Sequence, residues 1–146
     1  MSNSQAIEDY VKAIYAIAAE RDGLVQNGEV AERLGVAPAT ATAMLKRLAE
    51  LNLVDYQPYK GVSLTAGGER VALEVIRHHR LLEAYLAEAL GMPEDRVHEE
   101  AEVLEHYISE ELEALIAAKL GEPSHDPHGS AIPGPDLLPP AGGAGR

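Results

Sequence analysis

The fold of this chain is restricted most by residues 27–65, where two apolar-periodic segments, separated by a glycine and a proline, precede two short runs that look like strands. Residues 27–35 predict a short helix ending at Gly35, and residues 38–52 predict a second helix that starts at Pro38. Glycine just past a helix and proline at its first position are the favoured placements. Residues 53–56 and 62–65 predict two strands joined by a hairpin loop. This order is typical of a winged helix-turn-helix.

The remaining periodic segments predict a mainly α chain. Apolar residues recur at helical spacing over 5–19, 66–90, 94–109 and 110–120. Residues 121–146 contain six Gly and six Pro, which predicts a segment without a packed core. We therefore expect a winged helix-turn-helix domain over 1–70, a helical domain over 71–133 and a flexible Gly/Pro-rich tail over 134–146.

Composition excludes several functional classes. The chain has no Cys, which excludes disulfides, thiolate catalysis and Cys-type zinc sites. Its polar N-terminus is followed by no long apolar run, so we expect a cytoplasmic protein without a signal peptide or membrane span. The net charge of −12 argues against nucleic acid, but residues 1–70 hold seven Lys and Arg against nine Asp and Glu. The acidity lies in residues 71–146, where five basic residues face fifteen acidic ones and carboxylates can serve cations.

The second helix of the predicted motif is sized for the major groove of DNA. Its start lacks a side-chain cap, so its free N–H groups can meet a phosphate oxygen. The candidate DNA-binding residues on this helix and the hairpin are Ala37, Pro38, Ala39, Thr40, Thr42, Ala43, Lys46, Arg47, Tyr59 and Lys60. Because several of them are alanines, we expect shape readout and methyl contacts more than bidentate hydrogen bonds. The pattern alone also fits a protein–protein interaction module.

Histidines and carboxylates follow a helical spacing in residues 79–106. His79 and Glu83 are four residues apart and share a helix face. On the predicted next helix, one stripe contains His98, Glu102, Glu105 and His106. Carboxylates and imidazoles without a thiolate suit Mn²⁺ and Fe²⁺ and also accept Co²⁺, Ni²⁺, Zn²⁺ or Cd²⁺.

Asp9 offers one more ligand, because it lies at the edge of the apolar face of the first helix. Other polar residues nearby have an ordinary interpretation. Glu99, Glu100, Glu110, Glu111 and Glu113 are expected to form a solvated acidic face. Residues 125–128, His-Asp-Pro-His, are expected to form a turn into the tail rather than a site.

Several of these segments together resemble the diphtheria toxin repressor family. They are Glu8-Asp9-Tyr10 with Ile14-Tyr15, the helix-turn-helix from Ala31 to Leu48, His79-Arg80-Leu81-Leu82-Glu83, the run from Val97 to Glu102, Glu105-His106, and residues 124–133. The resemblance implies a winged helix-turn-helix followed by a helical dimerisation and metal-binding domain. It implies a primary metal site of Asp9, Glu102, Glu105 and His106, and an ancillary site of His79, Glu83 and His98.

The resemblance mixes features of two branches. Asp9 and Glu102 match the manganese transport regulators, since iron-responsive members have Met and Cys there. Lys12 stands where the manganese branch has a bridging Glu, and His98 is a feature of the iron branch, so two separate sites are expected. Many iron-branch members continue into a barrel-like third domain, whereas this sequence continues into the Gly/Pro-rich tail.

The sequence therefore predicts a homodimeric transcriptional repressor, activated by Mn²⁺ or Fe²⁺, that binds a palindromic double-stranded DNA operator and controls metal-ion homeostasis. Two alternatives stay open on the residues alone. One is a carboxylate/histidine metalloenzyme, because such stripes on paired helices also build carboxylate-bridged metal centres. The other is a metal-independent interaction module.

Overall fold

The computed structural model describes residues 3–138, which form two compact units divided between Ala72 and Leu73. The elements in chain order are α1 (Asn3–Glu20), α2 (Asn27–Leu34), α3 (Pro38–Glu50), β1 (Val54–Gln57), β2 (Gly61–Leu64), α4 (Ala66–Glu88), α5 (Glu94–Leu104) and α6 (Glu110–Lys119). Within residues 3–138, no helix is long and apolar enough to cross a membrane.

The first unit has the predicted winged helix-turn-helix order. Gly35 ends α2 in the left-handed conformation, with φ of 67°, and Pro38 occupies the start of α3. The two helices and α1 enclose a buried apolar core. Its fully buried members include Val11, Ile14, Val30, Leu45 and Leu48. The turn chemistry and the core together fix the position of α3, whose opposite side stays exposed.

The hairpin after α3 forms the wing. β1 and β2 are antiparallel, with Tyr56 opposite Val62 and Gln57 opposite Gly61. The wing is attached to the start of α2, because Val25 exchanges backbone hydrogen bonds with Val62 in both directions. Gly61 has φ of +126°, and a Cβ there would lie 2.4 Å from the Val25 carbonyl oxygen. Only glycine allows this close approach.

The second unit packs the C-terminal part of α4 with α5, α6 and the segment that follows. Its core contains Leu81, Leu82, Ala101, Ile116, Ala117 and Ile132. Ile132 contradicts the expectation that residues 121–146 have no packed core. The segment folds back because Ile132 N–H donates to the Ser124 carbonyl and His125 pairs with Ala131. The last part of the expected tail, 139–146, lies outside the described residues.

One helix is shorter than the periodicity predicts. α5 ends at Leu104 rather than near residue 109, and residues 105–107 form a turn. The four polar positions from His98 to His106 therefore do not form one continuous helical stripe. Glu105 is buried at the C-cap, and His98 and Glu102 lie on the exposed part of α5. The pattern could not reveal this ending, because Glu105 and His106 continue the helical spacing.

Candidate functional site

The DNA-binding candidates lie on the surface of the first unit. Lys46 and Arg47 are exposed on α3, and Tyr59 and Lys60 are exposed on the wing. Thr42 is half-buried. The other candidates at the start of α3 and along it are exposed: Ala37, Pro38, Ala39, Thr40 and Ala43. No side chain caps the start of α3, as expected from Ala37 and Pro38.

Asn27, which the sequence analysis did not select, joins the three elements of this surface. Its Nδ2 donates to Thr42 Oγ1 on α3 at 3.0 Å and to the Tyr56 hydroxyl on the wing at 3.4 Å. Gln26 Nε2 adds a hydrogen bond to the Lys60 carbonyl at 2.8 Å. A groove of about 490 Å³ lies between the start of α2, α3 and the wing. The sequence carried no signal for these contacts, because an Asn at a helix start usually indicates a local cap.

His79, Glu83 and His98 form a compact donor cluster in the second unit, which brings together the residues predicted for the ancillary site. His79 Nε2 lies 3.1 Å from Glu83 Oε2 and 3.2 Å from His98 Nδ1. His98 Nδ1 lies 3.2 Å from the same Glu83 oxygen. His79 and Glu83 are buried on α4, whereas His98 is exposed on α5. Three ligand atoms from two helices thus converge on one point with an opening to solvent.

The segment after α6 adds two further donors beside Glu83. His128 Nδ1 lies 3.4 Å from Glu83 Oε1, and Glu83, Asp126 and His128 each offer a ligand atom within 4.8 Å of the others. Residues 125–128 do form the expected turn, with Asp126 Oδ1 accepting N–H groups of His128 and Ser130. The fold-back of this turn onto α4, which brings Asp126 and His128 beside Glu83, was not predicted from the sequence. The signal was the pair of histidines flanking an Asp-Pro step.

Two buried carboxylates, Glu83 and Asp126, are adjacent in this cluster, and their surroundings shift their pKa values in opposite directions. Burial alone would raise the pKa of Glu83. The hydrogen bond and the positive charge of His79 outweigh this effect, hydrogen bonds from Asp126 and His98 add to them, and the pKa is lowered to about 2. Burial raises the pKa of Asp126, and the adjacent Glu83 carboxylate raises it further. The hydrogen bonds from the N–H groups of Ser130 and His128 lower it, but by less. Two adjacent carboxylates are favoured as anions when a cation lies between them. The donor set therefore fits a divalent metal ion.

The remaining predicted ligands of the second unit lie around Glu105. Glu105 is 1% exposed. His79 Nδ1 lies 2.5 Å from Glu105 Oε1, and His106 Nε2 lies 3.6 Å from Glu105 Oε2. Glu102 lies on the exposed part of α5, 2.9 Å from His98 Nε2. His79 therefore touches both predicted ligand sets, one with each ring nitrogen. The pairing of Glu102 with Glu105 and His106 around one ion stays a prediction.

Asp9 lies in the first unit, on α1, where it is half-buried. All other predicted ligands lie in the second unit. Its participation in metal binding stays a prediction from the sequence.

One residue of the expected acidic face is not solvated. Glu113 is buried, and its Oε1 accepts a hydrogen bond from Arg77 Nε at 2.6 Å. Its Oε2 lies 2.5 Å from His78 Nε2. The expectation was wrong because α6 turns Glu113 toward α4, whereas Glu99, Glu100, Glu110 and Glu111 are exposed as predicted. Buried carboxylates are retained when they are paired in this way.

Comparisons with known proteins match both units of the chain. Residues 3–62 match the N-terminal DNA binding domain of the iron dependent repressors, and residues 65–134 match their metal binding and dimerisation domain. The transcriptional regulator MntR of Escherichia coli O6:H1 is 39% identical over 73% of this chain and 68% of its own length. The diphtheria toxin repressor of Corynebacterium jeikeium is 33% identical over 90% of this chain and 54% of its own.

A solved structure has the same arrangement of elements. It is a manganese-dependent transcriptional repressor in complex with manganese, with a TM-score of 0.82 and 47% identity over 89% of this chain. The chain spans 59% of that protein's length.

Proposed function

Since the chain belongs to the iron-dependent repressor family, which includes MntR and the diphtheria toxin repressor, we propose that it is a transcriptional repressor activated by Mn²⁺ or Fe²⁺. The observation that carries the proposal is the convergence of His79, Glu83 and His98 in a unit matched by a metal-binding domain. Family members are repressors rather than enzymes, which argues against the metalloenzyme alternative. A buried imidazole–carboxylate cluster argues against a metal-independent module.

Two groups of residues would hold metal. His79, Glu83 and His98 would hold one ion, with Asp126 and His128 completing its ligands. Glu102, Glu105, His106 and Asp9 would hold the other, as the sequence predicts. A bound ion supplies positive charge that neutralises the acidic ligands and ties together the elements that carry them. Nitrogen and oxygen donors without sulfur suit Mn²⁺ and Fe²⁺, with Co²⁺, Ni²⁺, Zn²⁺ and Cd²⁺ as substitutes in vitro.

The first unit would contact operator DNA. The exposed start of α3 and the basic side chains of Lys46 and Arg47 would face the major groove, while Tyr59 and Lys60 on the wing would lie along the backbone. Thr42 Oγ1 accepts from Asn27 Nδ2, which fixes the side chain and leaves the hydroxyl proton and the methyl group for contacts with bases. The repressor would act in the cytoplasm, where it meets chromosomal DNA.

We propose that the repressor is a homodimer that binds a palindromic operator. Support comes from apolar side chains exposed on α5, on α6 and in the turn between them, among them Val103, Tyr107, Leu112 and Leu115. Contiguous exposed apolar residues mark interaction surfaces. A two-fold dimer presents two α3 helices to two half-sites, so operator symmetry follows from protein symmetry.

The decisive experiment selects DNA from a random-sequence pool with chelator-treated protein and with protein loaded with Mn²⁺ or Fe²⁺. Metal-loaded protein should enrich a palindromic sequence. Chelator-treated protein should bind weakly and without sequence preference, with an affinity that falls steeply with salt. Equal affinity for the selected sequence in chelator and in Mn²⁺ would contradict metal activation. No enriched sequence under any condition would contradict the repressor function itself.

A further inference from the structure

A third group of donors lies on α4 and α6, outside both proposed metal-binding groups. Glu74, His78 and Glu110 each offer a ligand atom, and these atoms lie within 4.8 Å of one another. Glu74 and His78 are four residues apart on α4 and therefore share a face. Glu110 is exposed in the first turn of α6 and gives the cluster access to solvent.

His78 has the protonation pattern expected of a metal ligand. Its Nδ1 lies 3.3 Å from the Glu105 carbonyl oxygen, which can only accept, so this nitrogen carries the proton. Metal-bound histidines commonly donate their other ring N–H to a backbone carbonyl in this way. In the neutral ring the lone pair is then on Nε2.

The Nε2 atom of His78 lacks a hydrogen bond although it is buried. It lies 2.5 Å from Glu113 Oε2, but the two atoms do not form a hydrogen bond. At this distance a lone pair on Nε2 and a carboxylate oxygen repel each other unless Nε2 is also protonated, and the gap is too short for a metal ion to lie between them. The other oxygen of Glu113 is already bonded to Arg77, so Oε2 is the one left to face His78.

We propose that Glu74, His78 and Glu110 bind a divalent cation at a third site, with Oε2 of Glu113 beside it. One imidazole and two carboxylates form a hard nitrogen–oxygen donor set that suits Mn²⁺ and similar ions. The site joins α4 to the start of α6, and it shares no side chain with the ligand sets of the proposed function. An ion there places positive charge beside Glu113 and neutralises the exposed Glu110.

The test counts the Mn²⁺ ions bound per chain by equilibrium dialysis and elemental analysis, for the wild-type protein and Glu110→Gln. Glu111→Gln is the matched control, because Glu111 is also exposed in the first turn of α6. We expect Glu110→Gln to bind one ion fewer than wild type and Glu111→Gln to bind the same number. Both substitutions are at the surface and should leave the fold intact.

A second measurement separates the sites by using diamagnetic ¹¹³Cd²⁺ in place of Mn²⁺. The ¹¹³Cd NMR spectrum of wild type should contain one resonance more than that of Glu74→Gln. Equal ion counts in wild type, Glu110→Gln and Glu74→Gln, with equal numbers of ¹¹³Cd resonances, would overturn the proposal and leave His78 as the ion-pair partner of Glu113. The result does not depend on DNA binding, so failure of the proposed repressor function would be seen separately.

Discussion

At the scale of single residues, the carboxylates of the second unit differ in what faces them. Glu83, Glu105 and Glu113 are buried, and each lies against at least one histidine. Glu99 and Glu111 have the same side chain at solvated positions. Sequence spacing predicted Glu83 and Glu105 to be ligands and placed Glu113 with the solvated group. Spacing reports which residues share a face, whereas burial depends on the helix that packs against it.

Glu102→Cys tests whether this exposed carboxylate is a metal ligand. A thiolate is a softer donor than a carboxylate, so the variant should respond less to Mn²⁺ relative to Fe²⁺, Co²⁺ or Zn²⁺. The measurement is the metal concentration that half-saturates operator binding for each ion. Glu99→Cys, also exposed on α5, is the control and should keep the wild-type ranking. If the ranking is the same in Glu102→Cys and wild type, Glu102 does not bind the ion.

Asp126→Asn should have opposite effects with and without metal. The amide keeps the Oδ1 acceptor for His128 and Ser130 but removes the negative charge beside Glu83. Chelator-treated protein should therefore melt at the same temperature as wild type or higher. The stabilisation by Mn²⁺ should shrink, by about 1.4 kcal/mol for a tenfold loss of affinity.

Thermal unfolding of Asp126→Asn with and without Mn²⁺ measures both effects. Asp136→Asn is the matched control, because Asp136 is exposed and also accepts a backbone N–H, from Leu138. A full Mn²⁺ stabilisation in Asp126→Asn would remove this residue from the metal-binding group.

At the scale of elements, the first unit was predictable to within a few residues because local chemistry sets its boundaries. Gly35 and Pro38 mark the turn between α2 and α3, and two short strand-like runs around a loop with Pro58 and Gly61 mark the wing. The second unit was less predictable. α5 ends at Leu104 although its spacing continues, and Ile132 joins the core from a Gly/Pro-rich segment. Both features depend on packing between distant parts of the chain, which periodicity does not report.

Asn27→Ala tests whether α2 holds α3 and the wing in position for DNA. The change removes hydrogen bonds to Thr42 and Tyr56. A bond of this kind contributes about 1 kcal/mol, so operator affinity should fall about fivefold while ion counts stay unchanged. Thr42→Val removes one of the same bonds from its other end. A double-mutant cycle by gel shift should show that the two losses are not additive. Additive losses would indicate that each residue contacts DNA independently.

At the scale of the whole molecule, the predicted metal-binding residues and the predicted DNA-binding residues lie in parts of the sequence that differ in charge. Residues 1–70 carry a net charge of −2 and residues 71–146 one of −10. The division into units between Ala72 and Leu73 follows nearly the same line. The predicted metal ligands concentrate in the acidic part, and the DNA-binding candidates lie in the nearly neutral part. Metal activation therefore requires that the ion bind the DNA-competent state of the protein more tightly than the inactive state, because equal affinity for both shifts nothing.

Asp9 is the residue on which that difference is predicted to depend, since it alone among the proposed ligands lies in the first unit. Asp9→Ala should keep the dimer and keep ion binding by His79, Glu83 and His98, yet lose most of the Mn²⁺-induced gain in operator affinity. A role in offsetting the helix dipole is a weak alternative. α1 begins at Asn3, which puts Asp9 beyond the first turn, and the dipole effect of about 0.3–1 kcal/mol declines within that turn.

A gel-shift titration with Mn²⁺ separates the two roles of Asp9. Glu8→Ala is the control, because it removes the neighbouring negative charge from the same helix. If the dipole were the whole contribution, both variants would lose a little thermal stability and retain the normal rise in operator affinity. If Asp9 transmits metal binding to the DNA-binding unit, only Asp9→Ala loses that rise, while its weak salt-sensitive binding to non-operator DNA equals that of wild type. A normal rise in Asp9→Ala would show that metal activates this repressor without Asp9.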